Sequence, residues 1–252
     1  IVVNDSSSVQ QPEIKKPSNF KSLSIINMKE NRGHARCNAF GIRYICNNEL
    51  YDYVILMDGD GEDRPVEIKY LIDKITNYPD TSVVAKRIKR SEGPIFRFMY
   101  YAHKLITYIF TGKKINFGNY SCLTKTDMKK LSNKASLWSS YSGTFKKNIQ
   151  NYNEVNSIRG VRYFGPSQMS LFKLLIHSFS IVAVFRNRVL ALSVFLFASL
   201  YYLGVLIKFD FLFLKILIIL FNICINVVSL RENKIELENS HLNIDSIDVL
   251  TH

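Results

Sequence analysis

The chain has 252 residues, is 47% hydrophobic and carries a formal net charge of +12 at pH 7, enough for one sizeable folded core with apolar sequence left over. Its cysteines, Cys37, Cys46, Cys122 and Cys224, show neither a CxxC pair nor metal-ligand spacing, which excludes a disulfide framework and a zinc ribbon. The basic residues are dispersed and accompany no nucleic-acid motif, so membrane lipids with anionic head groups and a diphosphate ligand account for the charge, and no nucleic acid is expected as partner.

Ile1-Val-Val is a short apolar strand that enters the polar turn Asn4-Asp5-Ser6-Ser7-Ser8. After a loop over residues 10–19, Leu23 to Asn27 reads as a second strand. Asn31 is placed to cap a helix from Arg32 to about Cys46, with Ala35, Ala39 and Ile42 facing inward. Tyr53 to Met57 alternates too little for a half-solvated strand and is too short for a helix, so a strand buried on both faces is expected.

That strand ends in Asp58-Gly-Asp-Gly-Glu-Asp63. In open α/β sheets, ligands bind outside the carboxyl ends of strands, where Asp58, Asp60 and Glu62 project. Clustered carboxylates repel one another unless a cation sits between them, and all-oxygen ligation favours magnesium, manganese or calcium. The same residues also read as a structural calcium loop, or as an Asp- and Gly-rich turn leading into the helix that Pro65 begins.

Pro65 to Asn77 is the next helix, with Ile68, Leu71, Ile72 and Ile75 inward, and Ser82 to Ala85 the next strand. This β-α-β-α-β order implies right-handed crossovers and a mainly parallel sheet flanked by helices. Lys86, Arg87, Lys89 and Arg90 leave the strand on the same edge as the acidic loop, within reach of a metal-held diphosphate. Pro94 opens a long helix to about Thr111, with Gly112 past its end. Asn116 to Thr124 reads as loop then strand, a helix starts near Thr126, and Trp138 fills the core. Arg159 to Phe164 reads as a final strand, and Ser167 caps a helix to about Phe185. Ser170, Lys173, His177 and Ser180 give that helix one polar stripe, as in a helix lying in a membrane interface.

From Val189 to Ile207 no residue is charged, and from Phe211 to Leu230 only Lys215 is. Each run is about 20 residues, or about 30 Å of helix, the thickness of a bilayer core. Lys208-Phe209-Asp210 leaves only a tight connection, so the two form a hairpin. Lys173, Arg186 and Arg188 before it and Arg231 and Lys234 after it, against Lys208 in the turn, put both flanks on the cytoplasmic side. The expected organisation is a catalytic domain over residues 1–166, an interfacial helix over 167–188, a transmembrane hairpin over 189–230 and a cytoplasmic tail over 231–252.

The segments Asn4-Asp5-Ser6, Asn31 to Gly41, Met57 to Pro65, Ala85 to Gly93, Asn116 to Tyr120 and Arg162 to Ser167 appear in the order seen in family 2 glycosyltransferases. As a set they resemble the membrane-anchored branch that includes dolichyl-phosphate mannosyltransferase and undecaprenyl-phosphate glycosyltransferases. The resemblance implies a GT-A fold, a nucleotide-diphosphate sugar donor, a divalent metal (magnesium or manganese), a polyprenyl-phosphate acceptor and inversion at the anomeric carbon. It places Asp5 near the nucleotide base, Asp58 and Asp60 as the metal pair of a DXD-type motif, and Glu62 at a metal or phosphate contact. Arg87 and Arg90 steady the diphosphate, while Asn119, Arg162 and Ser167 lie toward the acceptor. Because a lipid phosphate is already an anion, no strong general base is needed, and none stands out. Two departures fall on the nucleotide pocket: Asn4 replaces the first acid of the usual pair, and relatives carry a further strand and turn before the strand at Ile1, so a truncated chain or a binding domain without catalysis is the alternative.

Overall fold

The computed structural model describes residues 1–7, 15–89, 94–163 and 170–250, with backbone alone at 89, 94–100, 102, 103 and 171. In chain order the strands are β1 (Val2–Asn4), β2 (Leu23–Met28), β3 (Tyr53–Leu56), β4 (Val83–Lys89), β5 (Phe117–Thr124), β6 (Asn153–Ile158) and β7 (Ile244–Leu250). The helices are α1 (His34–Asn48), α2 (Ile68–Asn77), α3 (Pro94–Thr111), α4 (Lys125–Ser132), α5 (Tyr141–Asn148), α6 (Leu171–Ala183), α7 (Arg186–Ile207), α8 (Leu212–Ser229) and α9 (Lys234–Glu238).

The strands form two mixed sheets, ordered β1-β2-β7 and β3-β5-β4-β6. Pairings β1 with β2 and β4 with β6 are parallel, whereas β2 with β7, β3 with β5 and β4 with β5 are antiparallel. The mainly parallel sheet expected from element order is thereby corrected. Strands β3 and β4 do run the same way, since both are antiparallel to β5, but β5 comes between them. Alternating elements fix strand direction; they say nothing of a later strand inserting itself.

Side chains alternate across the four-stranded sheet as the pleat requires. Val54, Val84 and Leu123 face a core shared with Ala39 and Ile42 of α1, Met128 and Leu131 of α4, and Phe145 of α5. Val83, Ala85, Tyr120 and Cys122 face Leu71 and Ile75 of α2. Trp138 is buried in the first of these cores, as expected. Strand β3 is not buried on both faces: Tyr53 is 41% exposed, and among the described residues β3 pairs with β5 alone. Ile72 faces solvent rather than the core. The last strand before the apolar helices is Asn153–Ile158, so the strand expected at Arg159 to Phe164 is corrected for residues 159–163, and Phe164 lies outside the described residues.

Helices α7 and α8 are long and apolar enough to cross a membrane, and only 6% and 11% of their most apolar stretches are buried within the protein. Two buried core helices would show the opposite. The turn between them has Lys208 in the left-handed region at φ 54°, and Lys215 Nζ reaches back to Asp210 Oδ1 at 2.7 Å. At the other end, Arg186 Nη1 donates to Ser229 Oγ at 3.4 Å, joining the two feet of the hairpin, and Lys147 Nζ of α5 donates to Val184 O just before α7. Helix α6 packs on α8, with Val182, Ala183, Val189 and Ile225 forming a separate small core.

The residues after the hairpin do more than trail from it. In α9, Leu237 is fully buried in the core shared with α1, α4 and α5. Trp138 Nε1 donates to Glu236 Oε2 at 2.8 Å. Strand β7 then pairs with β2 along its whole length.

Candidate active site

Strands β1, β3, β4 and β6 end at one edge, where β5 begins. The turn after β1 is built around Asp5, whose Oδ1 accepts from Arg32 N at 3.1 Å and whose Oδ2 accepts from Gly33 N at 2.8 Å. These are the two backbone N–H groups just ahead of α1, and the side-chain cap expected from Asn31 is not formed. The residue preceding α1 is Gly33, at φ 92°, and it makes no side-chain cap of its own. Burial raises the Asp5 pKa above its ordinary value, partly offset by those two backbone N–H groups. A polar hollow of about 430 Å³, lined by Glu30, Asn31, Arg32, Arg36 and Glu236, adjoins this turn.

The acidic loop after β3 is tied internally. Asp58 N donates to Asp63 Oδ2 at 3.1 Å, and Glu62 N donates to Asp60 Oδ1 at 2.9 Å. Gly61, at φ 90°, turns the chain between them. Asn119 Nδ2 donates to Asp58 Oδ1 at 3.2 Å and lies against His34 Nε2, which is itself 3.5 Å from the same oxygen. The sequence brings Asn119 to Asp58 because Leu56 pairs with Ser121 across the β3–β5 ladder.

Arginines meet this loop at several points. Arg87 Nη2 is 3.2 Å from Asp63 Oδ1, at a carboxylate only 2% exposed. Burial and the neighbouring Asp58 charge push the Asp63 pKa up, against the pull of the Asp58 N–H and of Arg87. Arg162 reaches Asp60 Oδ2 with Nη2 at 3.1 Å and Glu62 Oε1 with Nε at 2.8 Å. Arg159 Nη2 lies 2.6 Å from both oxygens of Glu62. Burial alone would raise the Glu62 pKa; the two guanidinium groups outweigh it and hold the carboxyl below its ordinary value.

Of the residues singled out from sequence, Asp58, Asp60, Glu62, Asn119 and Arg162 come together, with Arg87 behind them on Asp63 and Asp5 at the neighbouring turn. Arg90 and Ser167 lie outside the described residues. Sequence reading missed Asp63, Arg159 and His34. Asp63 stood within the acidic run and Arg159 three residues before Arg162, so a search for ion-pair partners at that edge finds both; His34, in the Asn31 to Gly41 segment, had no local signal.

Residues 1–141 match the family described as Glycosyl transferase family 2, a span that includes the whole acidic loop, Arg87 and Asn119. The chain belongs to that family. Its activity is therefore sugar transfer, from a nucleotide-sugar donor to an acceptor. No curated protein matches the chain. Arg159 and Arg162 lie beyond the matched span.

Family 2 enzymes generally use a divalent metal. Asp58 and Asp60 supply the hard oxygen donors that magnesium or manganese takes. Yet among the described residues no three His, Cys, Asp or Glu side chains converge on one metal position. Asp60 and Glu62 point at a guanidinium instead. In this arrangement the residues do not fit a bound metal.

Proposed function

We propose that this family 2 glycosyltransferase is a membrane-anchored enzyme of the polyprenyl-phosphate branch, with a GT-A-like arrangement of donor site and acceptor side. It moves a hexose from a nucleotide diphosphate to a lipid phosphate, with inversion, at the cytoplasmic face of the membrane. The observation that carries this reading is continuity: the arginine-bearing segment that touches the acidic loop, residues 159–163, is followed in the chain first by α6 (Leu171–Ala183) and then directly by the apolar hairpin that starts at Arg186. An acceptor held by its tail in the bilayer has its phosphate delivered to that side of the site.

The chemistry follows from the residue types. A phosphate oxygen of the acceptor attacks the anomeric carbon, the bond from that carbon to the donor diphosphate breaks, and nucleoside diphosphate leaves with the electron pair. The acceptor is already an anion, so no side chain needs to take a proton. Charge grows on the leaving diphosphate, and preorganised guanidinium groups are the residues that stabilise it. Asp5 and the hollow beside it support a donor nucleotide at the neighbouring turn, and the domain plan is catalytic residues 1–166, completed by α9 and β7, on a hairpin over 189–230.

The test is donor binding and transfer together. Full-length protein in detergent is titrated with UDP- and GDP-sugars plus manganese by calorimetry, and sugar transfer to polyprenyl phosphate is measured alongside. Asp60→Ala is expected to weaken donor binding while keeping its fold, because the carboxylate lies past the strand and is 31% exposed. Binding equal to the parent would remove Asp60 from the donor site. Donor binding without transfer to any lipid phosphate would sink the acceptor assignment, and absence of both would favour a membrane-anchored binding domain.

A further inference from the structure

A helix on the surface of a water-soluble domain turns its apolar stripe inward and its polar stripe outward. Helix α3 reverses this over its described side chains. Thr107 and Thr111, one turn apart, are buried at 2% and 0% exposure. The Thr111 hydroxyl is satisfied locally, donating to Thr107 O at 2.6 Å and accepting from Lys113 N at 3.1 Å. The outward stripe is Tyr101, Leu105, Tyr108 and Ile109, at the spacing of one helix face, and these residues are 46% to 61% exposed.

The neighbours of α3 are the apolar helices. It packs against α6 and α7, and on α6 Phe172, Leu174 and Leu175 are exposed as well. The Phe110 ring meets the Phe221 ring of α8 with centroids 4.6 Å apart, and Phe179 of α6 meets the same ring at 6.1 Å. Phe221 stands one turn, about 6 Å, beyond Ile225 toward the tip of the hairpin. Ile225 in turn packs with Val189, where the uncharged run of α7 begins. The end of α3 therefore meets the hairpin about one turn inside its apolar run. Cations mark the rim of this contact. The Arg188 guanidinium lies against Gly112, where a Cβ would collide with it, at the helix end that favours positive charge. Lys114 Nζ lies over the Tyr108 ring, 5.9 Å from its centroid. Tyrosines on an apolar stripe flanked by cations match the boundary between head groups and acyl chains, where lysine and arginine meet lipid phosphates.

We infer that α3 is a membrane-interface helix, its stripe of Tyr101, Leu105, Tyr108 and Ile109 resting in the head-group boundary of the bilayer beside α6. This rests on the membrane anchoring in the proposed function and not on the transfer chemistry. The contact gives the domain a hold on the bilayer separate from the hairpin. Helix α3 also joins β4, which carries Arg87, to β5, which carries Asn119, so the hold lies between two strands that feed the acidic loop.

The test adds single tryptophans to the full-length protein in vesicles of phosphatidylcholine and phosphatidylglycerol. The chain has one tryptophan of its own, Trp138, buried in the domain core, which gives a constant background. Leu105→Trp and Ile109→Trp report the stripe, Phe195→Trp, 67% exposed on α7, reports the hairpin, and Leu50→Trp, 99% exposed ahead of β3, sets the level in water. The vesicles carry acyl chains brominated either near the head group or near the chain end, in both leaflets. Leu105→Trp and Ile109→Trp are expected to emit to the blue of Leu50→Trp and to lose most of the added emission. Bromines near the head group quench them more than those near the chain end, as for a helix about 5–10 Å into that boundary. Emission at both stripe positions as red and as unquenched as at Leu50→Trp, with Phe195→Trp quenched, overturns the inference. A blue-shifted signal that the bromines leave intact also overturns it and assigns the stripe to a second copy of the chain. An unquenched Phe195→Trp would bring down the membrane anchoring and the inference with it, a result distinct from the other two.

Discussion

Glu62 shows how the surroundings of one side chain set its chemistry. Its carboxyl is held below the ordinary 4.5 because Arg159 and Arg162 outweigh the cost of burial. A depressed folded-state pKa contributes stability that is present above the ordinary value and lost as pH falls through the lower folded value. Asp63 runs the other way: its pKa is raised, so its contribution is present below its ordinary 3.8 and lost as pH rises through the folded value. Urea unfolding from neutral pH down through the carboxylate range is expected to show an acid loss that Glu62→Gln removes; an identical pH profile in the variant would mean that the arginine pairing adds no stability. Gly160 offers a purely steric check on the same region. Gly160→Ala forces a methyl group into the Gly61 carbonyl, and the hydrogen bonds of Gly160 N and Tyr163 N lengthen or break. At about 1 kcal/mol for each lost bond, hydrogen exchange at those two amides should accelerate roughly fivefold. Unchanged protection there would show that the segment is held by side chains alone.

At the scale of elements, α9 and β7 turn the end of the chain into part of the domain. Leu237 packs in a core with α1, α4 and α5, Glu236 accepts from the indole of Trp138, and β7 covers the edge of β2. An uncovered β2 edge would present a row of unpaired backbone groups. Truncating Leu237 to alanine at a fully buried site is expected to cost about 2–5 kcal/mol, read as a lower unfolding midpoint in urea with an unchanged slope. A loss below about 0.5 kcal/mol, the range of surface substitutions, would mean that α9 is a loosely attached tail. Arg36 lies over the Trp138 ring, 5.6 Å from its centroid and 4.0 Å from the same Glu236 oxygen, and lines the hollow beside the Asp5 turn. The tail clasp and that hollow thus share Glu236, so damage to α9 is expected to be felt at the Asp5 turn as well.

At the scale of the molecule, a polar α/β domain carries two helices whose apolar surfaces are mostly left uncovered by the described residues. Such continuous exposed apolar surface is unstable in water and stable in a bilayer. In the proposed topology the hairpin crosses twice and its turn at Lys208 to Asp210 reaches the far side, where Asp210 holds Lys215 Nζ at 2.7 Å. An impermeant thiol reagent applied to intact cells should label Phe209→Cys and leave Ile235→Cys, which is 70% exposed on the domain side, unlabelled. Labelling at position 235 with none at 209 would invert the topology.

The sequence by itself determined what depends on neighbours along the chain. The apolar runs of α7 and α8, the acids that close β3 and the alternation of strand and helix are all local patterns, and helix length, loop charge and strand direction follow from them. Tertiary structure alone decided which strands lie side by side and which charges meet. Strand β5 enters between β3 and β4; β7 returns to β2, bringing Asp248 to Asn27 across a separation of 221 residues; and Arg162 meets Glu62 across 100. No pattern within a window encodes such pairings, because the free energy of each is set by burial and pairing among distant segments. That is why Asp58 and Asp60 were legible as a candidate site, while the guanidinium that faces Asp60 became visible only once the chain was folded.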